Sequence, residues 1–134
     1  MKDAKPEIGA RFVLGPGGKP EFTESEGLRH YVIELYFRGA EPRTESITYK
    51  LDASYYDPVR EVFRSRRGAD FAERITSYGD YEISASPSGV SESRSSARVT
   101  ETRSLLSKAL ERSVQEQAGA TPALQEALEY IRKH

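Results

Sequence analysis

Two short stretches carry the side chains best suited to chemistry, Asp52-Ala53-Ser54-Tyr55 and Ser77-Tyr78-Gly79-Asp80-Tyr81. Tyrosine rings can flank a flat or cationic group, and serine hydroxyls and loop backbone can hydrogen-bond it, so the pattern suits recognition of a ligand. Catalysis lacks its usual parts. The chain has 2 histidines, His30 and His134, and no cysteine, which leaves a metal centre or a nucleophile paired with histidine almost nothing to be built from. Asp57, Asp80 and Glu82 could exchange protons, but no spacing pairs them. Arg60, Arg64, Arg66 and Arg67 form a basic cluster that could meet phosphate. Glu61 and Asp70 interrupt it, and a solvated loop is the plainer reading. The residues therefore assign no catalytic group, no metal and no cofactor, and point to a binding module rather than an enzyme.

The bulk properties agree with that choice. A chain of 134 residues with 37% hydrophobic and 31% charged residues and a net charge of -1 has the size of one domain and no overall pull toward nucleic acid or an anionic membrane. Lack of cysteine fits a reducing compartment. The opening Met1-Lys2-Asp3-Ala4-Lys5-Pro6-Glu7 has no apolar core of the signal-peptide kind, so the expected location is cytoplasmic.

Alternating apolar residues predict the elements that must hold the two stretches. Ala10, Phe12 and Leu14 suggest a first short strand, and Pro20-Glu21-Phe22-Thr23 an edge piece. Tyr31, Ile33, Leu35 and Phe37 define one face of the strongest strand, and Ile47, Tyr49 and Leu51 the strand after it. The turn residues between them make the two read as a hairpin. Val59, Val62 and Phe63 suggest a further strand. Residues 70–76 suit a strand through Phe71 and Ile75, or a helix start through Asp70 and Glu73, with strand or loop preferred. Tyr81, Ile83 and Ala85 give a last strand, stopped by Pro87-Ser88-Gly89. On alternation alone Tyr31, Tyr49 and Tyr81 read as core tyrosines, whereas Tyr55 and Tyr78 lie at corners.

Residues 91–96 form a Ser-rich linker. Val99, Leu106, Leu110 and Val114 then mark one stripe of a helix over residues 97–117 that Gly119 ends, and Thr121-Pro122 opens a second helix, lined by Leu124, Leu128 and Ile131, to residue 133. The implied division is a β domain at 1–90, a linker at 91–96 and a helical extension at 97–134. The helical stripes either pack on the β domain or face a partner protein or a second copy, in which case the chain is an assembly or adaptor protein.

Glu26-Gly27-Leu28-Arg29-His30, the strand closing on Phe37-Arg38-Gly39, Tyr49-Lys50-Leu51-Asp52-Ala53-Ser54-Tyr55 with Pro58 and Arg60, and Ser77-Tyr78-Gly79-Asp80-Tyr81 together resemble a YEATS domain, most closely its prokaryotic branch. The resemblance spans residues 26–85. It implies an immunoglobulin-like β-sandwich and a reader of a protein or peptide ligand such as an acylated lysine, and it does not account for the two C-terminal helices, which rest on their own periodicity. It also implies that Tyr55 and Tyr78 are slot walls, Ser54 and the Gly79 backbone polar anchors, and Tyr81 a further aromatic. Leu28 stands where the family lines its slot with an aromatic, and Asp52 where the family has histidine. An ionised Asp52 would favour a cationic side chain between the rings. The prokaryotic branch is associated with bacterial conflict or immune systems.

Overall fold

Alternation is strongest where the longest strand forms, at β3, Leu28–Arg38. The computed structural model describes residues 7–39, 44–63, 71–89, 101–116 and 121–134. Strands β1 (Glu7–Phe12) and β2 (Phe22–Ser25) pair with successive halves of one edge of β3, while β6 (Glu73–Ser77) pairs with the other edge, all antiparallel. Glu26 and Gly27, at φ 55° and 78°, link Ser25 to its opposite residue Leu28. This two-residue turn with both φ positive matches the natural twist of a hairpin. The second sheet has the order β5-β4-β7-β8, with β4 Thr44–Lys50, β5 Val59–Phe63, β7 Glu82–Gly89 and β8 Thr102–Leu105.

The sheets enclose a common core and form an immunoglobulin-like β-sandwich. Tyr31, Ile33, Leu35, Phe37, Ile47, Tyr49, Leu51 and Ile83 are all buried, as alternation requires. The Tyr49 hydroxyl donates to the Phe71 carbonyl at 2.8 Å, so this ring enters the core without leaving its polar atom unpaired. Tyr36, on the opposite face of β3, is buried as well. Its β1 partner is Gly9, where an added Cβ would fall 2.0 Å from the Tyr36 ring. The ring lies in the space that glycine leaves, with Arg11 and Arg38 over it at 4.5 and 5.3 Å.

Three local expectations are corrected. β3 and β4 are not a hairpin: β4 pairs with β5 and β7, and both edges of β3 are occupied by β1, β2 and β6. Alternation reports which face is apolar, and two apolar faces can meet across a sandwich as well as share a sheet. β7 does not stop before Pro87, which pairs opposite Ile47. β8 pairs only with residues 82–85, so beyond them β7 tolerates a residue without an N–H. Residues 102–105, expected within the first helix, form β8, and the helix α1 begins at Leu106 and ends at Glu116. The second helix, α2, spans Pro122–Lys133, with the Thr121 side chain accepting from the Leu124 N–H. The 91–96 linker, Val99, Gly119 and Arg64, Arg66 and Arg67 lie outside the described residues.

The helical stripes face inward. Leu106, Leu110, Val114, Leu124, Leu128 and Ile131 are buried in the same cluster as the sheet residues. α1 packs along β1, where Arg112 donates to the Ile8 carbonyl at 3.0 Å and Arg38 meets Glu116 at 2.9 Å. The helices therefore cover the side of the sandwich at the β1 and β8 edges. On the opposite side Arg60 and Glu73, 2.9 Å apart, bridge β5 to β6. No helix among the described residues is long and apolar enough to cross a membrane.

Candidate functional site

The sandwich brings the two tyrosine stretches to one end. The first is the β4–β5 loop, closed by the Leu51 N–H donating to the Pro58 carbonyl at 2.7 Å. The second crosses from β6 in one sheet to β7 in the other. Together they bound a cavity of about 310 Å³, and six of the expected residues, Asp52, Ser54, Tyr55, Tyr78, Gly79 and Tyr81, line it. Leu28 is half-buried and is not in the lining. His30, two residues further on the same face of β3, is in the lining instead, and so is His134 at the end of α2.

Each ring has a defined neighbour. Tyr55 meets Tyr81 edge-on, with centroids 5.6 Å apart and planes at 64°, and Tyr78 meets His30 at 5.3 Å and 73°. The two expected slot walls thus belong to separate aromatic pairs around one cavity. Tyr78 keeps 44% of its surface exposed, so it offers a ring face to solvent or ligand.

The polar groups are organised by the chain itself. Tyr55 donates its hydroxyl proton to the Thr76 carbonyl at 2.5 Å, which ties the first stretch to β6, and accepts from the Tyr81 hydroxyl at 2.8 Å. Burial pushes the ionisation of Tyr81 far above the ordinary phenol range and also raises that of Tyr55. Ser54 donates both its hydroxyl, at 2.6 Å, and its backbone N–H, at 3.0 Å, to Asp52 Oδ2. These two bonds, the hydroxyl first, hold the Asp52 carboxyl below its usual range, because they favour the charged form. Asp52 is thus both the cap of its own turn and an ionised acceptor at the cavity rim.

Gly79 has two roles. Its carbonyl accepts from the Ser77 hydroxyl at 2.7 Å and its N–H donates to the same oxygen at 3.2 Å. An added Cβ there would lie 2.7 Å from the His134 carbonyl carbon, so only glycine admits the end of α2. His134 in turn stacks on Tyr130, 4.2 Å between centroids and 19° between planes. Asp80, which sequence leaves unpaired, accepts from the Ser107 N–H at 2.8 Å and its hydroxyl at 2.6 Å. It satisfies one of the free backbone donors in the first turn of α1. Arg60 is held by Glu73 and by the Asp57 carbonyl at 2.6 Å. Sequence reasoning missed His30 and His134. The former was signalled by sharing a strand face with Leu28, and the latter only by standing one helical turn after Tyr130. Among the described residues no group of histidine, aspartate and glutamate could hold a metal ion.

No family model and no curated protein matches the chain. Solved structures do. The fold is similar to that of YEATS domains. A structure of the Yaf9 YEATS domain matches at 18% identity and a TM-score of 0.52, covering 79% of this chain and 76% of that one. The yeast AF-9 homolog Yaf9 matches at 20% identity and 0.50, with 75% and 69% covered. The Yaf9 YEATS domain bound to H3K27ac matches at 18% and 0.50, with 79% and 78% covered. At these identities the YEATS likeness establishes the sandwich architecture.

Proposed function

We propose that the chain is a non-enzymatic recognition module that takes one flat or cationic side chain of a protein or peptide ligand, a modified lysine among the candidates, into the aromatic cavity. The observation that carries this reading is the lining: three tyrosines and two histidines around about 310 Å³, a volume suited to a side chain. The rings supply contact area at low conformational cost, and the hydroxyls and carboxylate supply orientation. The Yaf9 YEATS structures, one recognising an H3K122suc peptide and one bound to H3K27ac, lend support as proteins of similar fold. The motif resemblance extends the proposal to the prokaryotic branch and bacterial immunity, which gene neighbours test, and the lack of cysteine adds a cytoplasmic setting to it. The direct test of the site is an NMR titration of the full chain with one lysine peptide in unmodified, methylated, acetylated and succinylated forms. Saturable shifts at Tyr55, Tyr78 and Gly79 with any form, lost in Tyr78→Ala, are expected. Shifts with none of them, and with no small ammonium or guanidinium ion, reject the module.

A further inference from the structure

The hydroxyl donors of Ser54, Tyr55 and Tyr81 and the backbone N–H groups of Ser54, Tyr55 and Gly79 are committed inside the protein. The Ser54 hydroxyl must donate to Asp52, since an ionised carboxylate only accepts, and its backbone N–H points to the same oxygen. The Tyr55 hydroxyl must donate to the Thr76 carbonyl, which forces Tyr81 to donate to Tyr55. The backbone N–H groups of Tyr55 and Gly79 are taken by the Asp52 carbonyl and by Ser77 Oγ. At His134, Nδ1 lies 2.9 Å from the Tyr130 carbonyl, so in the neutral ring Nδ1 carries the proton and Nε2 is an acceptor. Lone pairs remain on Ser54 and Asp52, in a lining shared with three tyrosine rings. Among the described residues the lining contains no lysine or arginine.

Resting on the recognition reading above, we infer that this cavity selects a side chain bringing its own N–H donors and a positive charge, an ammonium or guanidinium, and discriminates against N-acylated lysine. An amide carbonyl placed against Ser54 or Gly79 finds their donors taken, and gives up hydration there without gaining a hydrogen bond from them. An ammonium or guanidinium meets the opposite situation, since acceptors, a carboxylate and electron-rich ring faces all attract it. At Ser54 the position of its proton decides between the two. Released from Asp52 it could serve a carbonyl, but held at 2.6 Å it cannot.

The test uses small probes that carry no peptide context: n-butylammonium, n-butylguanidinium and N-butylacetamide, titrated into the labelled full chain. Both cations are expected to shift Ser54, Tyr78 and Gly79 with a Kd at least about tenfold below that of the amide, the scale of one charge-assisted hydrogen bond. Asp52→Asn should weaken the cations by about the same factor while the spectrum stays that of a folded protein. Equal or tighter binding of the acetamide, or cation binding unaffected by Asp52→Asn, overturns the charge preference and leaves the module standing. Absence of shifts at the corner with every probe, and with every lysine peptide, removes the module and the preference together.

Discussion

The molecule holds two aromatic clusters of similar composition, and they differ in where the cation comes from. At the helix seam Arg29 lies over the rings of Phe22 and Tyr130, at 4.9 and 5.7 Å, and donates to the Tyr31 hydroxyl at 3.0 Å and to Glu126 at 3.3 Å. Rings, a phenol oxygen and a carboxylate surround one guanidinium of the same chain. The corner offers rings, a serine and phenol oxygens and a carboxylate, with neither arginine nor lysine in its lining among the described residues. Equivalent chemistry is closed upon itself in one place and open to solvent in the other. The first arrangement serves stability and the second suits recognition. Tyr130 connects them, since it faces Tyr31 at 5.7 Å, accepts from the Arg29 N–H at 3.0 Å and carries His134 stacked on it.

Removing that connection should have the largest effect. Tyr130→Ala strips ring contacts and a hydrogen-bond acceptor from the seam and should cost about 2–4 kcal/mol, read as a lowered urea midpoint. Tyr78→Ala at the corner should stay within about 0.5 kcal/mol, because its ring is partly exposed and its contact is one edge-on histidine. Equal destabilisation by the two would erase the distinction between seam and corner. Next in size is Gly79→Ala. Backbone rather than a flexible side chain stands in the way, so the cost should be about 1–3 kcal/mol, accompanied by altered resonances of His134 and Tyr130. Wild-type stability with unmoved His134 signals would show that α2 does not form the cavity wall.

Much of this arrangement could be read from residue order, and the failures have physical causes. Alternation in Tyr31, Ile33, Leu35 and Phe37 placed the core face correctly because burial on one face imposes a period of two. It could not place β4, since the pairing partner is decided by which edges are free and not by which face is apolar. β8 was hidden because Thr102-Arg103-Ser104 carries no apolar period, while Leu106, Leu110 and Val114 just beyond it repeat with helical spacing. At the corner, turn-forming and aromatic residues marked the loops, and six of seven expected residues share the cavity while Leu28 lies off it. The arrival of His134 beside Gly79 depends on helix docking, which no local pattern encodes. The direction of each hydroxyl proton likewise needs the partner atoms in place.

A smaller effect sharpens the comparison at the seam. Arg29→Met keeps much of the aliphatic packing and removes the charge from over Phe22 and Tyr130. The expected cost is about 0.5–1 kcal/mol, the scale of a partly exposed cation over aromatic rings with a screened ion pair. Added salt should narrow the gap between Arg29→Met and the parent protein, because only the ion pair to Glu126 is screened. A cost unchanged by salt would assign the whole effect to ring contact.

A small neutral-pH effect is expected at the corner from Tyr81→Phe. Tyr55 keeps its donation to the Thr76 carbonyl and loses only the proton it receives from Tyr81, so the cost should be about 1 kcal/mol or less. The informative difference appears in alkali. Burial holds the Tyr81 hydroxyl above its ordinary value of 10.0, and burial also raises Tyr55. The folded protein therefore keeps protons that the unfolded chain releases. Stability from this source is complete below pH 10 and is lost as the pH rises from there toward the folded-state values. Urea midpoints on either side of pH 10 should fall in the parent protein and fall less in Tyr81→Phe, which has one fewer buried phenol to ionise on unfolding. Lysines and the remaining tyrosines titrate in both proteins, so the difference between the two curves isolates Tyr81. Parallel curves would mean that the Tyr81 hydroxyl is as accessible to ionisation when folded as when unfolded, and the fixed proton direction from Tyr81 to Tyr55 would lose its support.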